Sequence, residues 1–176
     1  RLGRAIARRL KDDALPWPTL PAGECIRATA LGASEYSVQL SGNTCFISNH
    51  GELLPRRNLQ VIQPPYDCPD EIVPEDMARI VRSHRRTFEV DSDDREIALS
   101  FHWRGNPAYE RLLGFAEGLV LALDDIISAG KPLFIVLDGD VAQSLGHIIK
   151  EELEVPVGVL VIDGVVLWDF DYIDLG

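Results

Sequence analysis

His102, Asp138, Asp140 and Asp163 are the side chains best placed to carry chemistry. Each follows a short apolar run that reads as a strand: Ile97–Phe101 before His102, Pro132–Leu137 before Asp138 and Asp140, and Val157–Ile162 before Asp163. Ligands of open parallel sheets collect outside the carboxyl ends of the strands. Asp138-Gly139-Asp140 offers two hard oxygen ligands on one loop, which suits magnesium. With Asp163 it would form an acidic pocket, and the reaction class would be metal-assisted chemistry on a phosphorylated small molecule. A structural reading competes. Asp140 stands directly before an apolar helical run, where a carboxylate caps free N–H groups and complements the helix dipole.

Other chemistry-bearing residues lack partners along the chain. His50, His84 and His147 have no carboxylate or cysteine at ligand or triad spacing. Ser41 and Ser144 lack a GxSxG setting, and no GxxxxGK[ST] or GxGxxG occurs. Without a glycine-rich cradle for phosphates, these residues are expected neither to bind nor to hydrolyse ATP. Arg79, Arg82, Arg85 and Arg86 share one side of a helix, as either a docking face for an acidic partner or a solvated face. Cys25, Cys45 and Cys68 form no CxxC, so they read as small buried hydrophobes in a reducing cytoplasm.

The elements that would carry these residues alternate. Leu59–Ile62 is a strand ended by Pro64 and Pro65. Pro74 opens a helix to about Phe88 with Met77, Ile80, Val81 and His84 on one face. Ile97, Leu99 and Phe101 alternate along the next strand. Pro107 opens a long helix to about Ser128, ended by Gly130. Pro132–Leu137 is uninterrupted and apolar, as in strands buried on both faces. A helix over Val141–Glu152 precedes the strand Val157–Ile162, and Asp163-Gly164 predicts a hairpin to Val165–Trp168. The terminal FDYIDLG reads as an exposed acidic hairpin or loop. This order predicts an α/β fold with a small, largely parallel sheet and crossover helices. Upstream, residues 1–11 pattern as an amphipathic helix, Pro16, Pro18 and Pro21 as a stiff connector, and Thr44–Ile47 as a short strand.

Composition narrows the function classes. The net charge is −11, and residues 105–176 hold 3 basic against 13 acidic side chains, which argues against nucleic acid as partner. No apolar run reaches the roughly 18 residues of a membrane span. The chain starts at Arg1 and its one methionine is Met77, so the sequence reads as a piece of something longer.

Three strings go beyond a generic α/β pattern: GECIRATALGASEYSVQLSGNT, LLPRRNLQVI and DYIDLG, joined by FIVLDGDVAQSLGHII. In that order they resemble the ethanolamine ammonia-lyase reactivating factor family (ethanolamine utilization protein A) over essentially the whole chain. The resemblance implies a chaperone-like protein, similar to actin and Hsp70-type ATPases, that uses ATP and magnesium to release damaged cobalamin from ethanolamine ammonia-lyase. Its phosphate loops would lie N-terminal to this chain, leaving no cofactor in these residues. Residues 1–48 would close the ATPase core, their small side chains packing tightly, and residues 49–176 would form an appended structural or partner-docking domain. Trp168-Asp169-Phe170 departs from the family's usual glycine before the DYID string, which changes the turn expected there.

Overall fold

A computed structural model describes residues 35–38 (backbone only), 45–88 and 96–176. The amphipathic helix expected over 1–11, the proline connector, Cys25 and most of the small-residue segment lie outside the described residues. Residues 34–176 form one compact unit. Its strands are β1 (Glu35–Val38), β2 (Cys45–Ile47), β3 (Arg56–Ile62), β4 (Ile97–Phe101), β5 (Leu133–Leu137), β6 (Val159–Ile162) and β7 (Tyr172–Leu175). The helices are α1 (His50–Leu53), α2 (Pro74–Thr87), α3 (Tyr109–Ala122), α4 (Asp124–Ser128) and α5 (Ala142–His147). A π-helical turn, Ile148–Glu152, continues α5.

The strands make one seven-stranded mixed sheet in the order β1-β7-β3-β4-β5-β6-β2. The centre, β3-β4-β5-β6, is parallel throughout, with Ile62 opposite Leu99, Leu99 opposite Ile135 and Ile135 opposite Val161. Antiparallel pairs flank it, β7 on β3 and β2 on β6. β1 and β2 fall within residues 1–48 and are hydrogen-bonded members of this sheet.

Period-two alternation divides the central strands between two apolar layers. Leu99, Ile135 and Val161 pack with Met77, Phe115, Leu119 and Leu145 of the helices. Ala98, Val136 and Ile162 face the other layer with Leu53, Leu167 and Ile173. Both layers are apolar and buried, which is why β5 and β6 read as unbroken apolar runs. Cys45 and Cys68 are buried, as small hydrophobes would be. Burial pushes the Cys68 thiol up to about 12.

Several expectations need correction. The single helix expected from Pro107 to Ser128 breaks at Leu123, because Arg82 and Arg85 take the Leu121 and Ala122 carbonyls that would continue the ladder. The hairpin at Asp163-Gly164 does not form. Both flanks of β6 are already occupied, by β5 and by β2, so Val165–Trp168 has no strand position beside it. The terminal string is no exposed loop. Ile173 and Leu175 alternate into the core, and β7 sits inside the sheet between β1 and β3. Just before that strand, Phe170 adopts a φ of +72°, the left-handed region glycine favours.

Candidate functional site

Gln63, His102, Asp138 and Asp163 are the residues that follow β3, β4, β5 and β6, so they line one rim of the parallel sheet. A strap, residues 163–171, crosses this rim from β6 back to β3. Val165 N–H donates to Leu137 O at 3.2 Å, and the buried Ser100 hydroxyl donates to Leu167 O at 2.9 Å. Asp169 then accepts the Gln63 N–H at 2.7 Å, and Val61 N–H donates to Asp171 O at 2.8 Å, where the chain turns into β7.

The rim and strap assemble a hydrogen-bonded chain of side chains. Asp138 Oδ1 accepts the Trp103 N–H at 2.7 Å, and its Oδ2 lies 2.7 Å from His102 Nδ1. His102 Nε2 is 2.9 Å from Gln63 Nε2, so with the Gln63 amide as donor the ring donates through Nδ1 to Asp138. Trp168 packs edge-on against the His102 ring, with centroids 5.3 Å apart. On the other side of Gln63, both oxygens of Asp169 lie 3.1 Å from His84 Nε2. Phe170 continues through Phe88 to His84, at centroid separations of 5.2 Å and 5.0 Å.

An Asp–His pair at a strand end is the geometry that orients an imidazole for proton transfer. Here Nε2 of His102 is occupied by Gln63, and among the described residues no hydroxyl or thiol is bonded to it. The pair joins the ends of β4 and β5 beneath the strap.

The expected acidic pocket does not converge. Asp163 is 6% exposed and turns inward, where its Oδ2 accepts the Ala142 N–H at 3.0 Å. Asp163 therefore does the capping expected of Asp140. The N-cap position is Val141, with no side-chain hydrogen bond, and Asp140 is exposed. Asp163 also adds to burial in raising the Cys45 thiol. Among the described residues, no group of three His, Cys, Asp or Glu side chains is disposed to hold a metal.

The arginine helix also divides. Arg85, only 3% exposed, makes a bidentate pair with Asp125 at 2.8 Å and 2.9 Å, and this holds the Asp125 carboxyl below its usual range. Arg79 pairs with Asp76 at 2.8 Å, while Arg82 and Arg86 are exposed. Arg82, Arg85 and Arg86 line a cleft of about 260 Å³ with Asp124 and Asp125, so the cleft carries both charges.

Gln63, His84, Trp168 and Asp169 are site residues that sequence reasoning passed over. His84 meets a carboxylate 85 positions away, a pairing that no local spacing announces. His147 has a nearer partner, Glu151, at 3.1 Å one helical turn on; that spacing was visible.

The chain matches the family model described as ethanolamine utilisation protein EutA over residues 1–176. It is 27% identical over 172 residues to a protein of Salmonella typhimurium named ethanolamine ammonia-lyase reactivase EutA, covering 96% of this chain and 33% of that protein. A protein of the same name from Escherichia coli is 27% identical over 174 residues, with the same coverage. The chain thus spans about a third of the length of these relatives. No solved structure matches it significantly.

Proposed function

Since the chain belongs to the ethanolamine utilisation protein EutA family, we propose that it is a structural and partner-docking part of a reactivating factor for ethanolamine ammonia-lyase. The family match along all of residues 1–176, beside two relatives whose names state that activity, carries the reading. On this reading the full-length protein uses ATP and magnesium to release damaged cobalamin from the inactivated lyase, so that intact adenosylcobalamin can bind.

The geometry supports assigning docking to this chain and the nucleotide step to other parts of the parent. The sequence has no glycine-rich phosphate loop. Asp138 and Asp163 are committed to His102, Trp103 and Ala142, and Asp140 is exposed, so among the described residues these carboxylates offer no three-ligand magnesium site. Among the described residues, no helix is long and apolar enough to cross a membrane.

The test is direct binding between purified components. The immobilised 176-residue chain should retain ethanolamine ammonia-lyase and should give no heat with ATP in calorimetry. Micromolar ATP binding would overturn the division of labour. Failure of both this chain and its full-length parent to retain the lyase would overturn the partner.

A further inference from the structure

The strap alternates along its length. Val165, Leu167 and Asp169 turn inward to the contacts already described, while Val166, Trp168 and Phe170 are 47%, 56% and 64% exposed. Three large hydrophobic side chains in a row on a surface are uncommon, because single scattered ones are the rule. Their backbone is held in place. Trp168 N–H donates to Asp171 Oδ2 at 2.8 Å, and Asp171 N–H donates to Trp168 O at 3.1 Å. Phe170 sits at a φ of +72°, a conformation rare for an aromatic residue, and it stays largely exposed although its ring touches Phe88. Strain that secures so little burial points to a use outside the fold.

The charge carried by the strap itself has one sign. Residues 151–176 contain no Lys, Arg or His, and Asp169 and Asp171 flank Phe170. His84 reaches the strap from α2 and is bonded to Asp169, whose carboxylate has further acceptor positions. A preorganised aromatic pair beside carboxylates is the makeup of a protein-binding hot spot for a basic, apolar segment.

We propose that Val166, Trp168 and Phe170 form the docking stripe of this domain. Its occupant is a polypeptide segment of a partner protein that places apolar side chains against Trp168 and Phe170 and Lys or Arg against Asp169 and Asp171. Naming the lyase as the source of that segment rests on the function proposed above.

Calorimetric titration of the 176-residue chain tests this in two arms, one with ethanolamine ammonia-lyase and one with a short peptide of alternating lysine and leucine. The double variant Trp168→Ser/Phe170→Gly should bind each at least ~30-fold more weakly. Glycine suits the backbone at residue 170, so the variant should keep its melting transition. Leu121→Ser, which removes an exposed hydrophobe elsewhere, should bind like wild type. Affinity should also fall as salt rises. Unchanged affinity of the double variant overturns the stripe while leaving the partner standing. If the wild-type chain does not bind the lyase, the partner assignment fails and the peptide arm decides the stripe. If the substitutions abolish self-association in sedimentation and leave both titrations unchanged, the occupant is a second copy and the proposal is overturned.

Discussion

Asp163 accepts the Ala142 N–H at 3.0 Å, so the first turn of α5 is capped by a carboxylate 21 positions downstream. The bond ties the end of β6 to the helix that follows β5. It also accounts for a buried carboxylate without any ligand.

Asp163→Ala should therefore cost about 1–2 kcal/mol, the loss of a cap with a buried donor left unmatched. Asp140→Ala should stay within about 0.5 kcal/mol, as for an exposed side chain without a structural bond. Urea denaturation of both variants checks the ranking. Magnesium should leave the melting temperature of wild type and both variants unchanged, because the three carboxylates do not converge. A magnesium-dependent rise in wild type alone would restore the acidic-pocket reading.

Glycine positions where helices approach their neighbours give a second test. A Cβ on Gly146 of α5 would overlap the Phe46 ring of β2, which is itself packed against His147. Gly146→Ala should cost about 3 kcal/mol or more, since ring and helix would both have to move. A Cβ on Gly118 of α3 would meet the Met77 Sδ at 2.8 Å. Met77 is fully buried and its Cβ and Cγ would stand at 3.0 Å and 3.2 Å as well, so Gly118→Ala should cost about 1–2 kcal/mol, less than Gly146→Ala because alanine's helix propensity offsets part of the strain. Thermal unfolding of the two variants separates them.

Much of this architecture is legible in the sequence, and for physical reasons. β5 and β6 appear because burial on both faces leaves continuous apolar runs, β4 because Ile97, Leu99 and Phe101 alternate, and α2 because Pro74 marks its start. Contacts that close over long separations are not legible. Asp169 reads as part of an acidic tail until Gln63 and His84 come to it through the fold. The same applies to β7, whose alternation of Ile173 and Leu175 is too short to stand out among aspartates. Arg85 looks like its exposed neighbours on α2 until α4 supplies Asp125.

The Arg85–Asp125 pair carries a pH dependence whose sign follows from its position. Arg85 holds the Asp125 carboxyl below its ordinary value of 3.8, so the pair's contribution is present above that pH. It is lost as acid takes the pH below 3.8, through the lower folded-state value. Asp125→Asn should cost about 2 kcal/mol near neutral pH; Asp125 is more than half exposed, which keeps the cost below that of a fully buried pair. Denaturation at pH 6 and pH 3 should show the gap between variant and wild type narrowing in acid. An equal gap at both values would mean that the ion pair is not the source.

The strap's order should depend on Asp169 more than on any other single side chain. Asp169 accepts from the Gln63 backbone at 2.7 Å and from His84 at 3.1 Å, joining the strap to β3 and α2 together. Asp138, by contrast, serves the Trp103 N–H and His102 on the strand side of the rim, and the strap touches that pair through the Trp168 ring. Asp169→Ala should therefore speed amide exchange across residues 165–171 by about 10-fold, the loss of a little over 1 kcal/mol of local stability. The exchange of β5 and β6 should not change. Asp138→Ala should act on the Trp103 amide and leave most of the strap protected, and Asp169→Asn should fall between, since its amide oxygen can still accept from Gln63. Hydrogen exchange read by mass spectrometry resolves these segments. If Asp138→Ala frees the strap as much as Asp169→Ala does, the two Asp–His pairs act as one unit through Gln63, and the strap has no separate anchor.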